Sequence, residues 1–182
     1  MLASASPRRL ELLRQIGVEP AAIDPADTDE TPRPAEAPRA YAVRMARAKL
    51  DIVARRHPEM LVLAADSVVA VGRRILPKAE TKDEAIHCLK LLSGRRHKVL
   101  GGLALAVPGG KVRTRLVETV VRFKRLGPNE IEAYLASGEW QGKAGGYAIQ
   151  GRAAEFVAFI SGSYSNVVGL ALFETAVLLR SS

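Results

Sequence analysis

From Leu61 to Val71 apolar residues run almost unbroken, and the interruption is the pair Asp66-Ser67. A run of this length, rich in valine and leucine, predicts a strand buried on both faces. Gly72-Arg73-Arg74 then turns the chain back through Ile75 and Leu76 to Pro77-Lys78. Elsewhere the apolar spacing is helical. Leu10, Leu12, Leu13 and Ile16 give one face of a first helix that Ser6 caps, Pro7 opens and Gly17 ends. Tyr41, Met45, Ala48 and Ile52 mark a face of a second helix over about Pro38 to Arg56. Thr81 with Glu84 three residues on has the spacing of a capping box for a helix that runs to Leu92 and stops at Ser93-Gly94. Val99–Val107 and Lys111–Phe123 flank Pro108-Gly109-Gly110 as the arms of a long β-hairpin.

Gly127-Pro128 opens a further helix closed by Ser137-Gly138, Phe156–Ile160 reads as a strand, and Asn166–Arg180 as a closing helix. Leu2–Ala3 forms a short first strand. Asp24–Pro38, rich in proline and acids, predicts a long irregular loop, and Gly142–Gly151 is too glycine-rich for regular structure. Helices alternate with strands, so the fold class is α/β. The hairpin argues for a mixed sheet rather than a purely parallel, doubly wound one. At 182 residues the whole chain, 1–182, is read as one domain.

Composition narrows the function classes. Basic side chains outnumber acidic ones 27 to 19, a formal charge of +8 that favours anionic partners. Aromatic residues are only 5% of the chain, no basic-aromatic stripe is visible, and the arginine pairs are dispersed, which counts against nucleic acid. Cys88 is the only cysteine, so no internal disulfide forms and a reducing compartment is predicted. Its apolar helical setting is that of a buried small hydrophobe. The chain opens without a charged-then-apolar leader, and Val167–Leu179 is too short and contains Glu174, so the expectation is a soluble cytoplasmic protein with no membrane partner.

The candidate chemistry lies at a few polar positions. Ser4-Ala5-Ser6-Pro7-Arg8-Arg9 places hydroxyls, the free amides of a helix start and two guanidinium groups together, which suits a phosphate. Asp66 interrupts an apolar strand, where a carboxylate is costly unless it is paired or put to work. Lys78 follows the returning strand and could end beside it, Lys49 lies on the second helix, and Glu30 lies in the acidic loop. Cations that neutralise phosphate charge and acids that hold a metal ion and polarise water are the needs of phosphoanhydride hydrolysis.

Seven stretches match one family in order: Ser4–Arg9, Asp29-Glu30-Thr31-Pro32-Arg33, Ala65-Asp66-Ser67, Pro77-Lys78, Leu92-Ser93-Gly94, Gly142–Gly151 and Gly162–Leu170. Together they resemble the Maf family of nucleoside triphosphate pyrophosphatases, and the last two resemble its dTTP- and UTP-acting branch. The resemblance implies a deep cleft across a strongly twisted mixed sheet, akin to the inosine-triphosphatase fold. It implies a divalent metal, magnesium or manganese, a cytoplasmic homodimer and a nucleoside triphosphate substrate. It further implies that Asp66, Glu30, Lys49 and Lys78 are catalytic and that Glu30 and Asp66 hold the metal. Ser4, Ser6, Arg8, Arg9, Ser67 and Gln150 would bind substrate, with Arg8, Ser67 and Gln150 at positions of base specificity. Many members carry Thr where this chain has Ser67, so the hydroxyl is kept and a methyl lost. The alternatives are a 7-methyl-GTP or other non-standard nucleotide pyrophosphatase, or a nucleotide-binding regulator of septum formation.

Overall fold

The computed structural model describes residues 1–181. Its centre is a five-stranded sheet in the order β2-β1-β4-β5-β7, where β1 is Val62–Val71, β2 Arg74–Leu76, β4 Arg96–Ala106, β5 Arg113–Phe123 and β7 Val157–Ser161. Every ladder within it is antiparallel. The parallel element is Leu2, which bridges Leu63 and Ile23 in parallel and so places the N-terminal turn against β1. A separate two-stranded ladder joins β3, Lys78–Ala79, to β6, Lys143–Ala144. The glycine-rich stretch is therefore not wholly irregular. Lys143 and Ala144 pair with the segment that carries Lys78, a long-range pairing that glycine content conceals.

Six helices, with one 3-10 turn at Arg152–Phe156, flank the sheet: α1 Pro7–Gln15, α2 Pro38–Arg56, α3 Lys82–Leu92, α4 Pro128–Ala136, α5 Tyr164–Val168 and α6 Leu172–Arg180. One sheet face is covered by α2, whose Ala42, Met45, Ala46, Leu50 and Val53 are fully buried. The helix approaches β4 so closely that a Cβ at Gly102 would lie 2.1 Å from the Ala42 carbonyl oxygen. Leu89 and Leu92 of α3 and Tyr134 of α4 pack with Val99, Val121, Phe123 and Phe156 in a second core. Buried Cys88 belongs to it, and burial pushes its thiol up to about 11.

The capping box forms as its spacing predicts, with Thr81 and Glu84 exchanging side-chain and backbone bonds. The cap of α1 differs. Ser6 occupies the N-cap position but its hydroxyl makes no cap bond; instead Ser4 Oγ accepts the Ser6 N–H at 3.2 Å. The closing helix also differs, because it is two helices. Gly169, at φ 148, ends α5, and Ser165 Oγ accepts the Leu172 N–H at the start of α6. The apolar period runs straight through this break, so pattern alone reads one helix. Among the described residues no helix is long and apolar enough to cross a membrane.

Candidate functional site

A cleft of about 690 Å³ opens beside β1, and every residue singled out in the sequence lines it. Asp66 and Ser67 come from the middle of β1, Lys49 from α2, and Lys78 from the first position of β3. Glu30 is carried in by the acidic loop, and Gln150 by the glycine-rich segment before the 3-10 turn. Ser4 and Ser6 precede α1, while Arg8 and Arg9 sit in its first turn.

The charged groups are joined in a chain. Lys49 Nζ donates to Asp66 Oδ1 at 2.5 Å and lies 2.7 Å from Glu30 Oε1, and Lys78 Nζ donates to Glu30 Oε2 at 2.5 Å. Lys49 and Asp66 are only 8% and 5% exposed, so each offsets the cost of burying the other. The face on which Lys49 lies explains this. Tyr41, Met45 and Lys49, spaced by four, form the buried stripe of α2, whereas Ala48 and Ile52 are only half-buried. The sequence pattern continues that face from Tyr41 and Met45 through Ala48 and Ile52 because it scores lysine as polar. Burial pushes the Glu30 carboxyl up, but the hydrogen bonds from Lys49 and Lys78 outweigh it and hold the group below its usual range.

Arg9 is fixed by all three of its nitrogens. Nε donates to the Gly169 carbonyl at 2.9 Å, Nη1 to Ser4 Oγ at 2.9 Å and Nη2 to Ser67 Oγ at 3.2 Å. Burial lowers its pKa, and the Asp66 charge opposes that effect. Arg8 is different. It is half-buried and its Nε has no hydrogen-bond partner, leaving donors uncommitted in the cleft. Gln150 is exposed on a segment anchored from behind, where Tyr134 Oη accepts the Ala148 N–H at 3.1 Å and Glu139 accepts the Arg152 N–H at 2.7 Å.

Three contributors to this geometry were not picked out from the sequence. The Gly169 carbonyl orients Arg9 and also accepts Ser67 Oγ at 3.4 Å, but a backbone acceptor leaves no mark in a sequence. Buried Asn166 holds α5 on the sheet by donating to the Val99 carbonyl and to Thr119 Oγ1, each at 3.1 Å, and so sets where Gly169 stands. Lys143 lines the cleft and donates only to the Gln141 carbonyl; burial, and then the nearby Arg8 charge, lower its pKa. All three do lie in two of the seven matching stretches, which was the available signal.

Among the described residues no group of three or more His, Cys, Asp or Glu side chains could hold a metal ion. Glu30 and Asp66 nevertheless meet at one ammonium group in an anion-lined corner of the cleft. Two carboxylates, completed by substrate phosphates and water, fit the way magnesium is commonly bound.

Uncommitted guanidinium donors beside two converging carboxylates define a site for a phosphorylated ligand. The chain belongs to the family described as Maf-like protein, whose model matches residues 1–182. It is 63% identical over 179 residues to the dTTP/UTP pyrophosphatase of Paramagnetospirillum magneticum, covering 98% of this chain and 94% of that relative. It is 63% identical over 182 residues to the dTTP/UTP pyrophosphatase of Rhodospirillum rubrum, covering 100% of this chain and 87% of the relative. Among solved structures, a HAM1 protein from Coxiella burnetii shares the fold at 19% identity and a TM-score of 0.51, over 100% of this chain and 98% of that one.

Proposed function

We propose that this chain hydrolyses dTTP and UTP to the nucleoside monophosphate and pyrophosphate. The observation that carries the reading is the buried Asp66 carboxylate, held by Lys49 in a cleft that Arg8 and Arg9 also line. The relatives that bear this activity in their names are similar over essentially the whole chain.

In the proposed reaction a water oxygen forms a bond to the α-phosphorus while the bond to the α,β-bridging oxygen breaks and pyrophosphate leaves. Asp66 takes the water proton on its carboxylate. Lys49 holds the Asp66 carboxylate in place by its hydrogen bond, and Lys49 and Lys78 offset charge on the phosphoryl oxygens. Arg8, Arg9, Ser4 and the amides before α1 hold the triphosphate, so most of the acceleration comes from positioning and charge. Glu30 and Asp66 would hold a divalent ion, magnesium or manganese. When bound, it supplies positive charge on the phosphate oxygens of substrate. The same family resemblance extends the proposal to a homodimer in the cytoplasm.

Gln150 offers a donor and an acceptor, the complement of a pyrimidine imide edge, and Ser67 adds a hydroxyl. The test is pyrophosphate release from a panel of dTTP, UTP, GTP, ITP and 7-methyl-GTP, with and without magnesium or manganese. Turnover confined to dTTP and UTP supports the reading; preference for a purine nucleotide contradicts it. In the same panel Gln150→Ala should reduce discrimination between UTP and GTP about tenfold, the worth of one buried hydrogen-bonding group. Unchanged selectivity would remove Gln150 from base recognition.

A further inference from the structure

A second charged region lies away from the cleft and shares none of its lining residues. Arg96 on β4 and Arg122 on β5 are direct partners across the antiparallel ladder. Strand alternation sends their neighbours His97 and Phe123 into the core, so both guanidinium groups stand on the opposite, open face. Like charges in register destabilise a sheet. No acid nearby offsets this pair: Arg95, Arg96, Arg122 and Arg125 are all exposed and have no acidic partner among the described residues. The acid on these strands, Glu118, is already shared by Arg39 and Lys98, and Glu130 is taken by Lys124.

The same row carries an aromatic ring. Phe159 on the edge strand β7 is the register partner of Arg122 and is 42% exposed. The Arg96 guanidinium carbon lies 5.6 Å from its ring centroid. Arg96, Arg122 and Phe159 therefore span three neighbouring strands, roughly 10 Å, on one side of the sheet. Arg95 and Arg125 stand at the adjoining chain turns that border a shallow hollow with Arg122.

We propose that this sheet end is a docking surface for single-stranded nucleic acid, its arginines taking successive phosphates and Phe159 stacking on a base. The argument is charge complementarity. The protein tolerates a like-charged pair with no acidic partner beside a part-exposed aromatic ring, and a strand of phosphates with free bases matches both features. Neither feature is used in the hydrolytic site, so the proposal does not depend on the proposed activity. It also departs from the sequence-based expectation, because a stripe assembled from three strands is not visible along the chain.

The test is fluorescence anisotropy of a labelled oligouridylate of about 15 nucleotides with the full chain, titrated with potassium chloride. Saturable binding is predicted, with a log–log salt slope of about −3 for four phosphate contacts. Arg96→Ala with Arg122→Ala should weaken binding at least about tenfold at low salt and flatten the slope by about 1.4. Phe159→Ala should weaken binding about fivefold or more without changing the slope. All these variants should hydrolyse nucleotide at the native rate, which also establishes that they fold; if the double variant does not fold, Arg122→Gln alone replaces it. Any of these results overturns the proposal: no saturable binding, binding unaffected by the arginine or phenylalanine changes, or displacement by a non-hydrolysable UTP analogue, which would put the oligonucleotide in the cleft. Equal binding to anionic vesicles, again insensitive to Phe159→Ala, would also overturn it in favour of a lipid surface.

Discussion

Asp66→Asn should lower kcat for UTP about a thousandfold, the scale of a lost general base, while binding of a non-hydrolysable UTP analogue stays within a few-fold of native. The substitution keeps the shape of the side chain and removes its ability to accept a proton. The fold should survive because Lys49 still has Glu30 at 2.7 Å, so no ammonium is left buried and unpaired. Binding should persist because Arg8 and Arg9 are untouched, and removing one negative charge from the cleft does not repel a triphosphate. Single-turnover kinetics with isothermal titration separate the two effects. Turnover within tenfold of native would show that another group takes the proton. Loss of binding in step with turnover would instead give Asp66 a role in holding substrate.

Gly102→Ala should have the largest effect on stability of any change to so small a side chain. The added methyl carbon would lie 2.1 Å from the Ala42 carbonyl oxygen and 2.6 Å from its carbon. Both are backbone atoms of α2, which cannot rotate away as a side chain can, so the helix must lift from β4. Overpacking of this kind costs about 3 kcal/mol, or a fall in Tm of about 10 °C for a domain of this size. Activity should fall as well, because α2 carries Lys49, and a helix displaced from the sheet takes that ammonium away from Asp66. Thermal unfolding followed by circular dichroism reads the first effect, and pyrophosphate release the second. A Tm within about 2 °C of native would mean that α2 and β4 are less tightly joined than the geometry requires.

These two residues also mark what could be read from the sequence. Asp66 was legible because a carboxylate inside an unbroken apolar run costs free energy wherever the chain goes. The hairpin and the capping box were legible because each depends on residues close together in sequence. Glu30 could be named as a candidate acid, but nothing within the acidic loop separates it from its neighbours until Lys49 and Lys78 approach. The burial of Lys49 was not legible, because amphipathic patterning treats every lysine as solvent-facing. Gly169 escaped because its φ and its carbonyl, not its side chain, do the work. The family resemblance attaches roles to Glu30 and Lys49 that local physics does not, but only the folded chain explains why Ser4, Ser67 and Gly169 must stand together: they are the three acceptors that fix Arg9.

The proposed reaction has water attack the α-phosphorus beside Asp66 and pyrophosphate depart intact. Hydrolysis of UTP in ¹⁸O-enriched water, followed by mass spectrometry of both products, decides it. The account predicts one heavy oxygen in the uridine monophosphate and none in the pyrophosphate. Label in the pyrophosphate, or release of inorganic phosphate and UDP in its place, would contradict it.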